Sequence, residues 1–210
     1  GKKKKKNRNY GHAKGVEVVK KIVEKSIKLK IPFLTFYVFS TENWKRPKKE
    51  INFLFKLIGN YFSKEIKNIN NLGVRINILG EMKNLPLDIK KIFNQVINKT
   101  SSNNKINVNL AVNYGSKKEI IQAIKKNKKK INIKNLEKNL YTKNMPDPDI
   151  LIRTGGYMRL SNFMLWQIAY TEIFFIKKLW PDFKSTDLIK IINRYKNIKR
   201  NYGKIWFQLI

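Results

Sequence analysis

A chain of 210 residues with 42% hydrophobic side chains can bury one substantial core and calls for no second domain. Having no cysteine and a single histidine, His12, it excludes structural disulfides, thiolate metal sites and multi-histidine metal centres, and it fits a reducing compartment. The formal charge of +32 invites a polyanion, yet the 46 basic residues are spread over ordinary helix faces, so general lysine drift outweighs a dedicated nucleic-acid or anionic-membrane surface.

In chain order, Lys2 to Lys6 reads as a solvated charge run, followed by a helical pattern over Gly15 to Leu29 and an apolar strand over Phe33 to Ser40. Apolar residues at spacings of three and four predict helices over Lys48 to Leu72 and Pro86 to Thr100, with a strand over Val74 to Gly80 between them. Pro86 suits a first helical turn, and Ser101 to Lys105 reads as a polar loop. A strand over Ile106 to Asn113 precedes a helix over Ser116 to Lys126, where Ser116 and Glu119 match a capping box. Lys125 to Lys130 is a second solvated run, and Asp147-Pro148-Asp149 suits a turn. Short strands over Ile150 to Arg153 and Glu172 to Ile176, then a helix over Ser185 to Lys199, complete the pattern. Alternating strands and helices predict an α/β single domain over residues 1–210, with a mainly parallel central β-sheet flanked by helices on both faces. The longest apolar stretches, Phe33 to Phe39 and Phe163 to Ile176, are too short or too interrupted to cross a bilayer.

Arginine carries more information than lysine here. Only seven of the 46 basic residues are arginine, leaving 39 lysines, and the planar guanidinium matches phosphate bidentately. Arg153 ends a buried strand, Thr154-Gly155-Gly156 turns the chain, and Arg159 and Ser161 follow, so polar groups converge where open α/β sheets bind ligands. Phe33 to Ser40 repeats the arrangement by running into Ser40-Thr41-Glu42-Asn43-Trp44-Lys45-Arg46-Pro47, a pattern that also describes an ordinary capped loop. Within it Arg46 can grip phosphate, Asn43 can donate and accept, and Trp44 can wall off an apolar chain or lock the loop. His12, near Arg8 and a predicted helix start, suits either phosphate contact or a plain surface role. Glu172 opens an apolar strand and so demands a basic partner or a cation.

Six ordered blocks bring these pieces together: GHAKGVE at Gly11 to Glu17, FSTENWKRP at Phe39 to Pro47, NLAVNYG at Asn109 to Gly115, PDPDILIRTGG at Pro146 to Gly156, RLSNFMLWQIAYTE at Arg159 to Glu172 and LWPDF at Leu179 to Phe183. In these the chain resembles the cis-prenyltransferases, and among them the bacterial undecaprenyl diphosphate synthases. The resemblance implies magnesium-dependent head-to-tail condensation of isopentenyl diphosphate onto an allylic diphosphate such as farnesyl diphosphate, with a new cis double bond at each step. It implies Arg153, Arg159, Leu160 and Ser161 on the isopentenyl diphosphate, and Arg8 and His12 on the allylic diphosphate. Ser40, Thr41, Glu42, Trp44 and Arg46 would line the substrate site, with Asn43 at the proton-acceptor position and Glu172 as a Mg2+ ligand. It further implies a homodimer, a cytoplasmic location with at most peripheral membrane contact, a long-chain lipid-carrier precursor delivered to the membrane, and a hydrophobic tunnel whose walls include Ile51 to Phe62 and Ile89 to Ile97.

The chain departs from the family pattern in two places. The family's Asp-Gly-Asn-Gly-Arg-Trp segment, which carries the catalytic aspartate, phosphate loop and first strand, would precede Gly1, so the expectation is a natural protein that extends upstream. Tyr157 stands two residues after Gly155, where bacterial relatives commonly carry an acidic residue, and Met158 beside it offers no strong metal ligand. Two other readings remain: a non-catalytic partner subunit of the same fold, and a basic nucleic-acid-binding protein, the family resemblance implying no specific nucleic acid.

Overall fold

The computed structural model describes residues 8–127 and 130–200. Lys2 to Lys6 lies outside them, as do Lys128 and Lys129 of the second lysine run.

Helix α1 (Arg8–Lys28) leads to strand β1 (Phe33–Ser40), a 3-10 turn (Thr41–Lys45), α2 (Lys48–Asn71), β2 (Val74–Leu79), α3 (Leu87–Thr100) and β3 (Ile106–Tyr114). Helices α4 (Ser116–Lys126) and α5 (Ile133–Glu137) follow, then β4 (Ile150–Arg153), β5 (Glu172–Phe175), a 3-10 turn (Trp180–Asp182) and α6 (Ser185–Lys196). Every described strand pair is parallel, with β3 between β1 and β2 and a separate pair β4–β5. The described strands thus form two hydrogen-bonded sets where the sequence suggested one sheet.

Strand β3 shows why this stretch folds as it does. Ile106, Val108, Leu110 and Val112 alternate onto one face and join Phe39, Phe55, Phe62, Ile89, Phe93 and Val96 in the main core beneath α2 and α3. The intervening Asn109 is only 2% exposed and is satisfied sideways, donating to Thr35 Oγ1 (3.2 Å) and accepting from Asn77 Nδ2 (3.0 Å) across all three strands. On α3, the full burial of Ile89, Phe93 and Val96 contributes roughly 1.5–3 kcal/mol per side chain.

The two sheets share apolar clusters. Val18 and Ile22 of α1 pack with Phe174, Phe183, Leu188 and Ile191, and Leu34, Phe36, Ile150 and Ile152 flank them. Leu79, Ala111, Tyr114, Leu151, Met164 and Ile168 form a further cluster. The sheets therefore lie side by side, and the parallel strands aim their carboxyl ends at connecting turns that carry the polar blocks.

Three local expectations change. Helix α1 begins at Arg8, well before Gly15, because Gly15 is a packing position: Trp180 Nε1 donates to its carbonyl (3.0 Å), and a Cβ there would stand 3.1 Å from the indole. The Ser116–Glu119 capping box does not form. Gly115 is the N-cap, Ser116 Oγ accepts from Leu165 N–H (2.9 Å), and Glu119 turns inward. Pro86 is likewise the N-cap of α3, one residue ahead of the first turn.

Candidate functional site

The carboxyl end of β1 feeds the 3-10 turn Thr41–Lys45. Asn43 Oδ1 accepts from Ser40 N–H (3.1 Å) and Arg46 N–H donates back to the Asn43 carbonyl (3.0 Å), so the turn closes on itself. Trp44 packs against Phe39 and Phe55 with ring centroids 5.1 and 5.6 Å away, and its Nε1–H donates to Asn113 Oδ1 (2.8 Å). Trp44 is therefore the lock of the loop. Asn113, 3% exposed at the end of β3 with φ +49°, also donates to the Glu81 carbonyl (2.8 Å) and braces that lock.

Arg8, His12 and Arg46 meet at one carboxylate. Glu50, its side chain 11% exposed, accepts from Arg8 Nη1 and Arg46 Nη1 at 3.0 Å each, and His12 Nε2 lies 3.5 Å away. Partial desolvation pushes the Glu50 carboxyl up, but the Arg8 hydrogen bond, the nearby charges of Arg46 and Arg8 and the His12 contact outweigh it and hold the group below the usual range. Burial lowers the His12 pKa, and the opposing pull of Glu50 does not restore it. Because α1 already includes Arg8 to Gly11, His12 sits within the helix, which corrects its expected place at a free N-terminus. Its environment is a pair of arginines held by one carboxylate, with Nε2 itself buried.

On the other side, β4 ends at Arg153, whose Nε is buried and has no hydrogen-bond partner. A buried, unsatisfied guanidinium N–H costs free energy until an acceptor arrives. The glycine turn does not supply further donors: Gly155 N–H and Gly156 N–H are both spent on the Lys178 and Ile176 carbonyls (2.9 Å each), with φ of +95° and +81° that favour glycine. Arg159 is exposed and stacks over Tyr157, 4.3 Å from ring centroid to guanidinium carbon. Tyr157 thus orients an arginine at a position where the sequence suggested only a lost metal ligand. Leu160 packs against the Leu79–Ala111 cluster, an apolar anchor for the loop.

Ser161 (φ +53°) and Asn162 (φ +62°) turn this loop back towards β1. Tyr37 Oη lies 3.3 Å from the Ser161 carbonyl, and Asn162 Nδ2 donates to Glu42 Oε1 (2.8 Å). The Arg159–Ser161 loop and the Thr41–Lys45 turn therefore touch directly. Burial, aided by the Glu42 charge, pushes the Tyr37 phenol up to about 12, so it remains a proton donor at neutral pH. Glu50, Asn113 and Asn162 were not singled out in the sequence. Asn113 and Asn162 stand inside the NLAVNYG and RLSNF blocks, whereas Glu50 follows two lysines at the start of α2 with nothing local to mark it.

Glu172 opens β5 with its side chain 33% exposed, and Arg200 Nε lies 3.8 Å from Oε1. The expected basic partner is thus an arginine, which also donates to Asp149 Oδ1 (3.1 Å). Among the described residues no three acidic or histidine side chains converge on a metal-sized space. Glu172 offers one carboxylate at the amino end of β5, paired with Ile150 and at the opposite end of the strand pair from Arg153. One carboxylate fits the usual manner of holding Mg2+, by one or two carboxylates completed with water and phosphate oxygens.

Fold and site together define an α/β protein that presents arginines from separate segments, Arg8 and Arg46 on one side and Arg153 and Arg159 on the other. The family described as "Putative undecaprenyl diphosphate synthase" matches residues 1–203. The isoprenyl transferase of Rickettsia typhi is 40% identical over 201 residues, covering 94% of this chain and 89% of that protein, and the isoprenyl transferase of Clostridium tetani is 43% identical over 208 residues, covering 94% and 82%. Among solved structures, a "probable undecaprenyl diphosphate synthase" from Campylobacter jejuni superposes with a TM-score of 0.83 at 35% identity over 91% of this chain and 92% of its own. Lavandulyl diphosphate synthase from Lavandula x intermedia, solved with dimethylallyl diphosphate, gives a TM-score of 0.92 at 28% identity over 97% and 92%. The chain belongs to the undecaprenyl diphosphate synthase family of prenyltransferases.

Proposed function

We propose that this protein condenses isopentenyl diphosphate with an allylic diphosphate, farnesyl diphosphate being the expected starter, and repeats the step with cis geometry to build a polyprenyl diphosphate. The observation that carries the reading is the buried, unpartnered Arg153 Nε at a strand end, in the same crevice region as a second arginine-bearing loop. In each step the allylic C1–O bond breaks and the diphosphate leaves with the bond electrons. C1 bonds to C4 of isopentenyl diphosphate, and a C2 proton is lost as the new double bond forms.

We assign the allylic diphosphate to Arg8 and Arg46, preset cations that would stabilise charge as the C–O bond lengthens, with His12 beside them. To Arg153, Arg159 and Ser161 we assign the isopentenyl diphosphate. Asn43 presents an amide oxygen on the turn between the two half-sites, though that oxygen is held by Ser40 N–H and must share its lone pairs to take a proton. Mg2+ held by Glu172 would neutralise charge on a diphosphate.

For the growing chain, a cavity of ≈40 Å3 lies among Val23, Phe62, Ile69, Val74, Ile76 and Leu110. Drug-sized ligands occupy several hundred cubic ångströms, so a polyprenyl chain enters there only as α1 and α2 part from the sheet. Ile51, Leu54, Phe55, Ile89, Phe93 and Val96 are core residues in this closed state. Exposed Ile173 and Phe175 share one face of β5, and we assign a homodimer interface to that face. No described helix is long and apolar enough to cross a membrane, and we place the enzyme in the cytoplasm with its product passed to the membrane surface.

The test is incubation of the full-length protein with farnesyl diphosphate, labelled isopentenyl diphosphate and Mg2+, followed by sizing of the products. Successive five-carbon additions are expected. Absence of elongation, with binding of both diphosphates lost or not, overturns the reading.

A further inference from the structure

The loop bearing Arg159 and Ser161 and the turn bearing Asn43 are separate pieces of chain, and something must set their relative position. Asn162 is half buried between them in left-handed backbone that few residues other than glycine and asparagine adopt readily. Both ends of its amide are engaged. Nδ2 donates to Glu42 Oε1 (2.8 Å), Oδ1 accepts from Lys117 N–H (2.9 Å), and the backbone carbonyl accepts from Ser116 N–H (2.9 Å). One residue therefore joins the Thr41–Lys45 turn, the start of α4 and the Ser161 loop.

The surroundings are shaped around this contact. Gly115 lies so close that a Cβ there would stand 2.8 Å from Asn162 Nδ2 and 2.6 Å from Thr41 Oγ1, so only glycine leaves both in place. Leu165 N–H donates to Ser116 Oγ (2.9 Å) and Tyr37 Oη reaches the Ser161 carbonyl, pinning the loop on both sides of Asn162. The Asn162 hydrogen bond also helps hold the Glu42 carboxyl below its usual range against the upward push of desolvation.

We propose that Asn162 is a positioning residue for the condensation: it bolts the Arg159–Ser161 half-site to the Glu42–Asn43 turn, fixing where isopentenyl diphosphate lies relative to the proton acceptor. The inference rests on the proposed function for its catalytic meaning, whereas the bolt itself is a matter of geometry. Asn162 touches no reacting atom. Its effect passes through Ser161 on one side and Glu42 on the other.

Asn162→Asp separates positioning from mere helix capping. The carboxylate can still accept from Lys117 N–H, but it faces Glu42 with like charge and no donor. In the full-length enzyme we expect the KM for isopentenyl diphosphate to rise at least ten-fold while that for the allylic diphosphate stays within two-fold. Amide exchange at residues 41–45 and 160–165 rises together. In the double variant Asn162→Asp with Glu42→Gln, the glutamine donates to the new aspartate and restores the link with reversed polarity. Exchange in both segments should return to near wild type, and the isopentenyl diphosphate KM should be no worse than that of Glu42→Gln alone. The proposal is overturned if Asn162→Asp changes neither quantity, if the two substitutions multiply independently, or if both KM values and exchange across the whole chain rise together. A wild-type protein that fails to elongate removes the proposed function, and the exchange measurements then still decide the bolt.

Discussion

Replacing Glu119 with alanine is predicted to be among the most damaging changes outside the apolar core. Glu119 is 2% exposed and accepts from Tyr114 Oη (2.5 Å), Tyr141 N–H (2.8 Å) and Gln167 Nε2 (3.2 Å). These donors come from β3, the segment after α5 and the loop before β5, so one carboxylate joins three segments. Alanine strands them unequally. Tyr114 is 0% exposed, so its hydroxyl cannot turn to water, Gln167 keeps a bond to Thr142 Oγ1 (3.0 Å), and the Tyr141 amide is near enough to the surface to recruit water. At about 1–3 kcal/mol for each buried donor left unmade, with two of the three partly rescued, the loss comes to roughly 3–5 kcal/mol. That is a large share of the stability of a typical domain. Urea unfolding of the full-length protein followed by tryptophan fluorescence measures it. Adding Tyr114→Phe to Glu119→Ala removes the most costly orphan and should recover about 1–2 kcal/mol, since deleting both partners of a buried hydrogen bond is far cheaper than deleting one. A loss below 1 kcal/mol for Glu119→Ala, or further destabilisation by Tyr114→Phe in that background, would refute the reasoning.

Arg153→Ala and Arg159→Ala should each raise the isopentenyl diphosphate KM by removing a charge-assisted contact of roughly 1.5–3 kcal/mol, and steady-state kinetics checks this. Gly115→Ala forces a Cβ against Thr41 and Asn162 and should cost about 1–3 kcal/mol in urea while weakening isopentenyl diphosphate use, whereas unchanged kinetics would show that the neighbours yield freely. The lowered pKa values of His12 and Glu50 both mean that the unfolded chain binds protons first on acidification. Stability should therefore fall as pH drops below His12's ordinary value of about 6.5, and again below that of a carboxylate near 4.5 through the lowered Glu50 value. His12→Gln should flatten the first part of that melting-temperature profile only. Glu172→Gln should raise the Mg2+ concentration for half-maximal activity by about ten-fold or more, read by titration at fixed substrate.

Much of the architecture was legible because periodicity is a local property. Strand Phe33–Ser40 has the predicted bounds, and helix Lys48–Asn71 ends one residue short of the prediction, since each carries an unbroken apolar pattern between turn residues. The start of α1 was missed because Gly11 and Gly15 weaken the helical pattern, and the tertiary contact that makes Gly15 useful comes from Trp180. Helix α5 escaped notice because five residues carry too little periodicity, although Asn132 accepts from Asn135 N–H and caps it.

The site divides along the same line. Arg153, Arg159 and Ser161 announce themselves by scarcity and by the turn they flank. Glu50 does not, because what distinguishes it is a pair of arginines, one of them 42 residues away. Glu119 misled for a related reason: three residues after a serine it satisfies the spacing of a cap, yet three inward-facing donors compete for it and win.

The contact between Trp180 and Gly15 also has a bearing on how the chain is made. The two residues are 165 positions apart, and the apolar stripe of α1, Val18 and Ile22, is covered by Phe174, Phe183, Leu188 and Ile191. At a synthesis rate of about 5–20 residues per second, the ribosome needs ~8–33 s to deliver the residues that cover the first helix after making it. During that interval the nascent protein carries an unshielded greasy ridge flanked by lysines. Holding chaperones such as those that grip short apolar segments have their natural foothold there, and the late-made α6 is among the elements that close over the first helix.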